Sequence, residues 1–398
     1  MDKLWDIVIV GGGLGGLALA AELAAPEFAA VSVLVLEKRS QYVRDRTWSY
    51  WASAAHRYSH LERHQWSQWS VSLGNVAHSQ SSPSSRYASL DADAFYQAAV
   101  HSIGQSSHVV LQMNSGVADV QVRSASEAVI TLEQGGTVHA RTVLDARPAT
   151  QLAPSALVQQ FTGWEVQTQR DVFNPNQVQL MAFEPHPRGL HFWYILPYSA
   201  RCALVESTWV SPASWQPDYG AELQQYLAKL CGTSGYSVGY REHGMLSLQD
   251  ARAQATAPIG LGRRGGTLRP STGYAFIDTL AHAAQLAQSL SAALRAGTQA
   301  AWRPTAFHRA ATEHWMDAVF LDVLARDWQR APQYFMQLFG RMTAEDTIAF
   351  LTGQASWQQR LRVMRSLPVA PFARAALSHG IFGGITGKLQ SKFSTRPS

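Results

Sequence analysis

Residues able to do chemistry stand at two places in this sequence. The first is Gly11, Gly13 and Gly16, in the register G-x-G-x-x-G; the second is Glu206, on a run of alternating apolar residues. At the first, each glycine has a separate job. Gly11 permits a tight turn, Gly13 lets a pyrophosphate approach the backbone, and Gly16 lets a helix pack close to the preceding strand. Leu14 then opens that helix, whose first amides face the phosphates. Glu37 stands where a carboxylate that binds ribose hydroxyls is expected, so FAD or NAD(H) fits better than NADP(H). At the second place, period-2 alternation puts Cys202, Leu204, Glu206 and Thr208 on one strand face. A carboxylate among apolar neighbours is raised in pKa by desolvation and can hold a proton near neutrality, the profile of a general acid. A register that carries Glu206 to solvent or into a salt bridge is the alternative.

The elements that must position these groups follow the chain. Ile7–Val10 is a β-branched run expected of a strand buried on both faces, and Val31–Leu36 is a second such strand ending at Glu37. Thr47-Trp-Ser-Tyr-Trp51 is an aromatic cluster that either walls a ligand cavity or packs in the core. Residues 52–85, rich in Ser, His, Gln and Trp, read as an irregular excursion, followed by a helix over Tyr87–Val100 with Ser89 or Asp91 as its N-cap. Alternating strands from Val109 to Ala140 form a β-meander, and Thr142–Pro148 is a short strand that returns Asp145 and Arg147 beside the glycine loop. Strands at 158–168, 178–183, 190–198, 201–209 and 242–248, with a helix from Asp218 to Leu230, make a sheet-based unit. A second glycine-rich passage, Thr256–Phe276, leads into a helix over 277–296, and its Pro270-Ser-Thr-Gly273 turn is expected to offer backbone amides to an anion or a flavin carbonyl. Beyond Pro304 apolar residues recur at helical spacing, as core-packing helices do.

The architecture expected is α/β: a Rossmann-type dinucleotide-binding domain with an inserted antiparallel-sheet substrate domain and a C-terminal helical region. Its parts are a discontinuous cofactor domain (1–152 and 250–300), a sheet domain (153–249) and helices with a basic tail (301–398). The 398 residues suffice for two or three such units. Two cysteines with no C-x-x-C support neither a disulfide scaffold nor a zinc site. With no signal peptide and no long apolar run, a cytoplasmic protein is expected. Net charge is +5, yet seven basic and no acidic residues lie from Trp357 to Ser398, so the rest of the chain is net acidic. No nucleic-acid module accompanies that basic end; it reads as a site for an anionic membrane surface or as a solvated tail. The 13 tryptophans point to a large apolar ligand.

Taken together, Gly11–Gly16, Thr47-Trp-Ser-Tyr50, Val143-Leu-Asp-Ala-Arg147, Tyr194-Ile-Leu-Pro197, Leu204-Val-Glu-Ser-Thr208 and Arg269-Pro-Ser-Thr-Gly-Tyr274 resemble the bacterial lycopene cyclase family of flavoproteins. The resemblance runs to about residue 375, through Tyr334–Phe339 and Leu361–Met364. It implies a flavin monooxygenase-like fold, FAD reduced by NAD(P)H, and an isomerase that cyclises the end groups of an acyclic carotenoid without net redox change. It implies Glu206 as the acid; Gly11, Gly13, Leu14, Gly16, Glu37, Arg46, Asp145, Arg147, Pro270, Thr272, Gly273 and Tyr274 around FAD; and Trp48, Tyr50, Trp193, Tyr194 and Thr208 on the substrate cavity. It also implies peripheral attachment to a membrane through the basic end. Three positions depart from the family's pattern: Ser207 replaces a second acid after Glu206, Arg46 replaces a histidine before Thr-Trp-Ser, and Arg269 replaces a histidine before Pro270. A flavin monooxygenase acting on an apolar substrate and a non-catalytic carotenoid-binding flavoprotein are the rival readings.

Overall fold

The β-branched run at the amino end forms β1 (Leu4–Val10), and its last four residues are buried, as its composition predicts for a central strand. A computed structural model describes residues 3–148, 152–232, 235–249 and 258–380. After β1 come α1 (Leu14–Leu23), β2 (Val33–Leu36), β3 (Thr47–Ala52), β4 (His64–Trp66), β5 (Gln68–Leu73), β6 (Val76–Ser81), β7 (Arg86–Asp91) and α2 (Ala92–Gly104). Next come β8 (Val109–Gln112), β9 (Val117–Ser124), β10 (Glu127–Leu132) and β11 (Thr137–Asp145); β9, β10 and β11 form the expected antiparallel meander, but β8 does not join it and pairs in parallel with β2 at the opposite edge of the sheet. The first sheet runs β8-β2-β1-β11-β10-β9. β1 pairs in parallel with both β2 and β11, so Val10 lies beside Leu36 on one side and Asp145 on the other. All three strand ends therefore converge on the glycine turn. This is where an open parallel sheet binds ligands, outside the carboxyl ends of its strands.

The second sheet is built from β12 (Leu157–Thr168), β13 (Gln177–His186), β14 (Gly189–Pro197), β15 (Cys202–Pro212) and, after α3 (Tyr219–Cys231), β16 (Tyr236–Ser247). Its order is β16-β12-β15-β14-β13-β5-β6. It therefore recruits residues 68–81, from the stretch expected to be irregular and outside the sheet unit. The polar residues Ser70, Ser72 and Gln68 mask an alternation in which Trp69 and Val71 are fully buried. Tyr87–Leu90 likewise belongs to β7 rather than to a helix, which starts only after Asp91. A small sheet, β3-β7-β4, bridges the two large ones.

A short β17 (Ile259–Gly260) pairs with the end of β11, and α4 (Phe276–Arg295) packs on α1 over the first sheet. The apolar spacing beyond Pro304 resolves into α5 (Ala311–Arg326), α6 (Ala331–Arg341), α7 (Ala344–Leu351), α8 (Trp357–Ser366) and α9 (Val369–Ser378). Val319, Val323, Leu324, Tyr334 and Phe339 share one core with β5, β13 and β14, so these helices cover the face of the second sheet that Leu190, Phe192 and Leu204 present. Among the described residues, no helix is long and apolar enough to cross a membrane. Lys388, Lys392 and Arg396, and Thr256 at the head of the second glycine passage, lie outside the described residues.

Candidate active site

One cavity of about 850 Å³ joins the glycine turn to the helix-covered face of the second sheet. At its polar end lie Gly11, Gly13, Leu14, Glu37, Arg46 and Arg147; Thr272, Gly273 and Tyr274 close it from the far end of the sequence. At the other end Leu180, Phe192, Val210, Leu246, Leu321 and Phe335 form an apolar chamber, with Glu206 and Thr208 on its wall. Such a volume lies near the upper end of the roughly 300–1,000 Å³ typical of small-molecule sites.

The cradle shows why each glycine is needed. Gly11 has φ +98°, which favours glycine, and a side chain on Gly16 would collide with the Gly11 carbonyl oxygen. A Cβ on Gly13, in contrast, would meet nothing within 4 Å and would stand in the cavity. α1 starts there with no side-chain cap and no acidic residue in its first turn, leaving its first amides for an anion. Glu37 is buried: its Oε2 accepts from the Gly12 amide at 2.7 Å and its Oε1 from the Arg39 amide at 2.8 Å. Burial alone would raise this carboxyl, but the Arg39 guanidinium and those two amides outweigh it and hold the pKa below the usual value. These features fit a dinucleotide: an uncapped helix end, an open Gly13, and a fixed carboxylate beside them.

Five of the residues expected at the site do not line the cavity. Gly16 lies beneath the turn, where it permits packing. Asp145 is wholly buried and acts from behind, accepting from Arg147 Nε at 3.0 Å and forming an ion pair with Arg264 Nε at 3.3 Å. Pro270 faces a smaller hollow against α5. Tyr50 is core: its ring stacks on Phe276 at 4.5 Å and 7°, one pleat deeper than Trp48, which does reach the cavity. Trp193 has the wrong parity for its strand; Leu190, Phe192 and Tyr194 face the cavity while Trp193 stacks on Tyr226 of α3 at 4.0 Å. The Pro270–Gly273 turn is also closed on itself, because the Thr272 and Gly273 amides both donate to the Arg269 carbonyl. Those two amides are therefore not open to a ligand.

The three departures from the family pattern have separate positions. Ser207 points away from the cavity, donating to Glu222 of α3 and lying 3.1 Å from His191 Nε2. Burial, with His186 nearby, lowers the His191 pKa to about 4, so this cluster holds a neutral imidazole. Arg269 is buried against Asp317 of α5 at 3.2 Å and bonds the Phe350 carbonyl, tying the turn to the helical layer. Arg46 alone of the three lines the cavity, where it pairs with Asp45 at 2.9 Å.

Glu206 is 7% exposed and lies opposite Tyr194 in the β14–β15 register. Burial first, then the neighbouring Glu242 carboxylate, pushes its pKa well above the ordinary value. Tyr194 lies beside it and leads to two more cavity tyrosines: the Tyr87 hydroxyl accepts from Tyr194 at 2.9 Å and from Tyr274 at 3.4 Å. Sequence reading missed Tyr87, hidden by the mistaken helix, and Glu242. The parity that exposed Glu206 also exposes Glu242, since Val238, Tyr240, Glu242, Gly244 and Leu246 alternate along β16.

The fold is shared with flavin-dependent brominase, reductase-like and monooxygenase structures. A flavin-dependent brominase superposes with a TM-score of 0.62 at 14% identity, over 94% of this chain and all of its own. A geranylgeranyl bacteriochlorophyll reductase-like protein from Thermoplasma acidophilum gives 0.60 at 13% identity, over 95% and 99%. The p-nitrophenol 4-monooxygenase of Pseudomonas putida gives 0.55 at 16% identity, over 97% and 100%. Within this architecture the sequence is more particular, since the lycopene cyclase protein model matches residues 6–377. The chain belongs to the lycopene cyclase family. A lycopene beta-cyclase of a Paracoccus species is 28% identical, over 93% of this chain and 96% of its own length.

Proposed function

We propose that the protein is a lycopene beta-cyclase-type isomerase, converting an acyclic carotenoid such as lycopene to γ- or β-carotene without net oxidation or reduction. The observation that carries this reading is a carboxyl group with a strongly raised pKa on the apolar wall of a chamber continuous with the dinucleotide cradle. Glu206 gives its proton to the terminal double bond of an end group. The neighbouring double bond attacks the resulting cation, and loss of a ring proton closes the ring; one proton enters and one leaves. The apolar lining disfavours water that would trap the cation, and the rings of Tyr87, Tyr194 and Tyr274 offer it electron-rich faces.

FAD in its reduced form, with NAD(P)H as reductant, supplies a further electron-rich surface when bound. Gly11, Gly13 and Leu14 would hold its pyrophosphate, Glu37 its ribose, and Arg46, Arg147 and the Thr272–Tyr274 turn its remaining length. Apolar substrate reaches the protein from a membrane. In support, Trp357, Met364, Val369 and Leu377 of α8 and α9 are exposed, with Arg362, Arg365 and Arg374 exposed beside them.

The test is purified protein with reduced FAD and lycopene in liposomes without oxygen. Formation of γ- or β-carotene is expected; a hydroxylated product formed only with oxygen would assign a monooxygenase instead. Glu206→Gln should abolish cyclisation while flavin binding persists, and a Glu206→Gln variant that cyclises normally removes Glu206 from the acid role.

A further inference from the structure

The register of the second sheet places three residues abreast. Gly163 of β12 pairs with Glu206 of β15 on one side and with Glu242 of β16 on the other. A Cβ on Gly163 would sit 2.9 Å from the Glu206 Cγ and 3.2 Å from the Glu242 Cγ. The glycine is thus a gap into which both acidic side chains lean, and their carboxyl groups come within hydrogen-bonding reach of each other. Both are buried, at 7% and 4% exposure.

The two carboxyls are not equivalent. Glu242 Oε2 accepts from the Thr47 hydroxyl at 2.9 Å and from the Tyr240 hydroxyl at 2.9 Å, and the Arg44 guanidinium adds a favourable field. Its Oε1 is buried without a donor. Among the described residues, no arginine or lysine is an electrostatic partner of Glu206; it faces Thr208, Tyr194 and Glu242. The Tyr198 phenol also feels the Glu242 charge, and His243, next along β16, pairs instead with Thr162 at 3.0 Å. Two adjacent carboxyls in a dry site cannot both ionise readily. The donors favour charge on Glu242, which leaves the shared proton on Glu206, the member that lines the cavity.

We propose that Glu242 is the positioning carboxylate of a one-proton pair, keeping Glu206 protonated at neutral pH and driving its reprotonation after each transfer. The inference rests on the reading of Glu206 as the acid. When Glu206 gives up its proton, two anions are left side by side across Gly163, and their repulsion raises the basicity of Glu206 until the proton lost from the ring restores it. Proton and charge balance over the turnover, and no oxidant or reductant is consumed. Glu242 also supplies a buried acid across β12, two strands from Glu206, although Ser207 occupies the position directly after Glu206.

The experiment uses the flavin-loaded full chain in liposomes, with a pH profile of cyclisation and an infrared titration of protonated buried carboxyl groups. Glu242→Gln removes the like charge and puts an amide donor beside Glu206, so the basic limb and the infrared midpoint should both fall by about one pH unit or more, a tenfold loss of rate on that limb. Tyr240→Phe removes one donor from Glu242, destabilises the doubly ionised pair, and should move the same limb to higher pH; it keeps the test informative where Glu242→Gln fails to fold. Glu242→Asp retains the charge and should keep the limb near its native position. A purely structural Glu242 would lower the rate in Glu242→Gln with the limb and the infrared midpoint unmoved, and that result overturns the pair. Full activity in Glu206→Gln would instead overturn the acid assignment beneath it.

Discussion

Replacing Gly13 by alanine should separate cofactor affinity from stability. Gly13 has φ −79° and ψ −165°, an extended conformation open to any residue, and an added Cβ has no neighbour within 4 Å. Without flavin, Gly13→Ala should therefore be as stable as the parent or gain about 0.4–1 kcal/mol from the restricted unfolded chain. The new methyl stands where a pyrophosphate must approach the first amides of α1. Loss of one charge-assisted hydrogen bond of about 1.5–3 kcal/mol raises the FAD dissociation constant roughly tenfold to a hundredfold. Gly16→Ala has the opposite signature, because its Cβ would collide with the Gly11 carbonyl oxygen and lie 3.2 Å from Ile9 Cγ2. It should cost about 1–3 kcal/mol of stability even without flavin. Flavin fluorescence titration and thermal unfolding of the flavin-free protein read the two quantities. A Gly13→Ala protein that binds FAD with native affinity refutes the cradle as argued.

Gly163→Ala should fold but force Glu206 and Glu242 apart, lowering cyclisation while FAD affinity stays native; unchanged turnover would show that their separation is immaterial. Arg269→Ala leaves Asp317, 2% exposed in its side chain, without its guanidinium, and should cost about 3–5 kcal/mol in denaturant unfolding. Glu165, half-buried and bonded to Arg63 and Arg44, has its pKa lowered from 4.5 to about 2. Its contribution, about 2 kcal/mol after screening, is fully present above pH 4.5 and fades as pH falls towards 2. Glu165→Gln should accordingly flatten that part of the thermal stability profile. Finally, replacing both Trp357 and Leu377 by serine should weaken co-sedimentation with anionic vesicles by about tenfold without shifting the melting temperature, and equal binding would remove α8 and α9 from the membrane surface.

Much of this arrangement is legible in the chain where periodicity and stereochemistry act locally. Gly11 and Gly16 are fixed by backbone requirements, and the face shared by Glu206 and Thr208 follows from the two-residue repeat of a strand. The alternation in Trp69 and Val71 was as real but was diluted by serines with weak strand preference. Other features are tertiary and leave no local trace. The stacking of Phe276 decides that Tyr50 is core, and only the pairing of β14 with β15 tells which parity Trp193 must follow. The closeness of Glu206 to Glu242 depends on a strand lying between them whose one relevant residue has no side chain.

The two faces of β15 answer to different neighbours. Glu206, Thr208 and Val210 meet the cavity, whereas Val205, Ser207 and Trp209 meet the other side, where Glu222 of α3 accepts from both Ser207 and Trp209. A single stretch of chain thus carries two interleaved texts. Drift at odd positions is checked by the fit of a helix, and drift at even positions by the fate of a proton. Ser207 belongs to the first text, and a change there leaves the second unaltered.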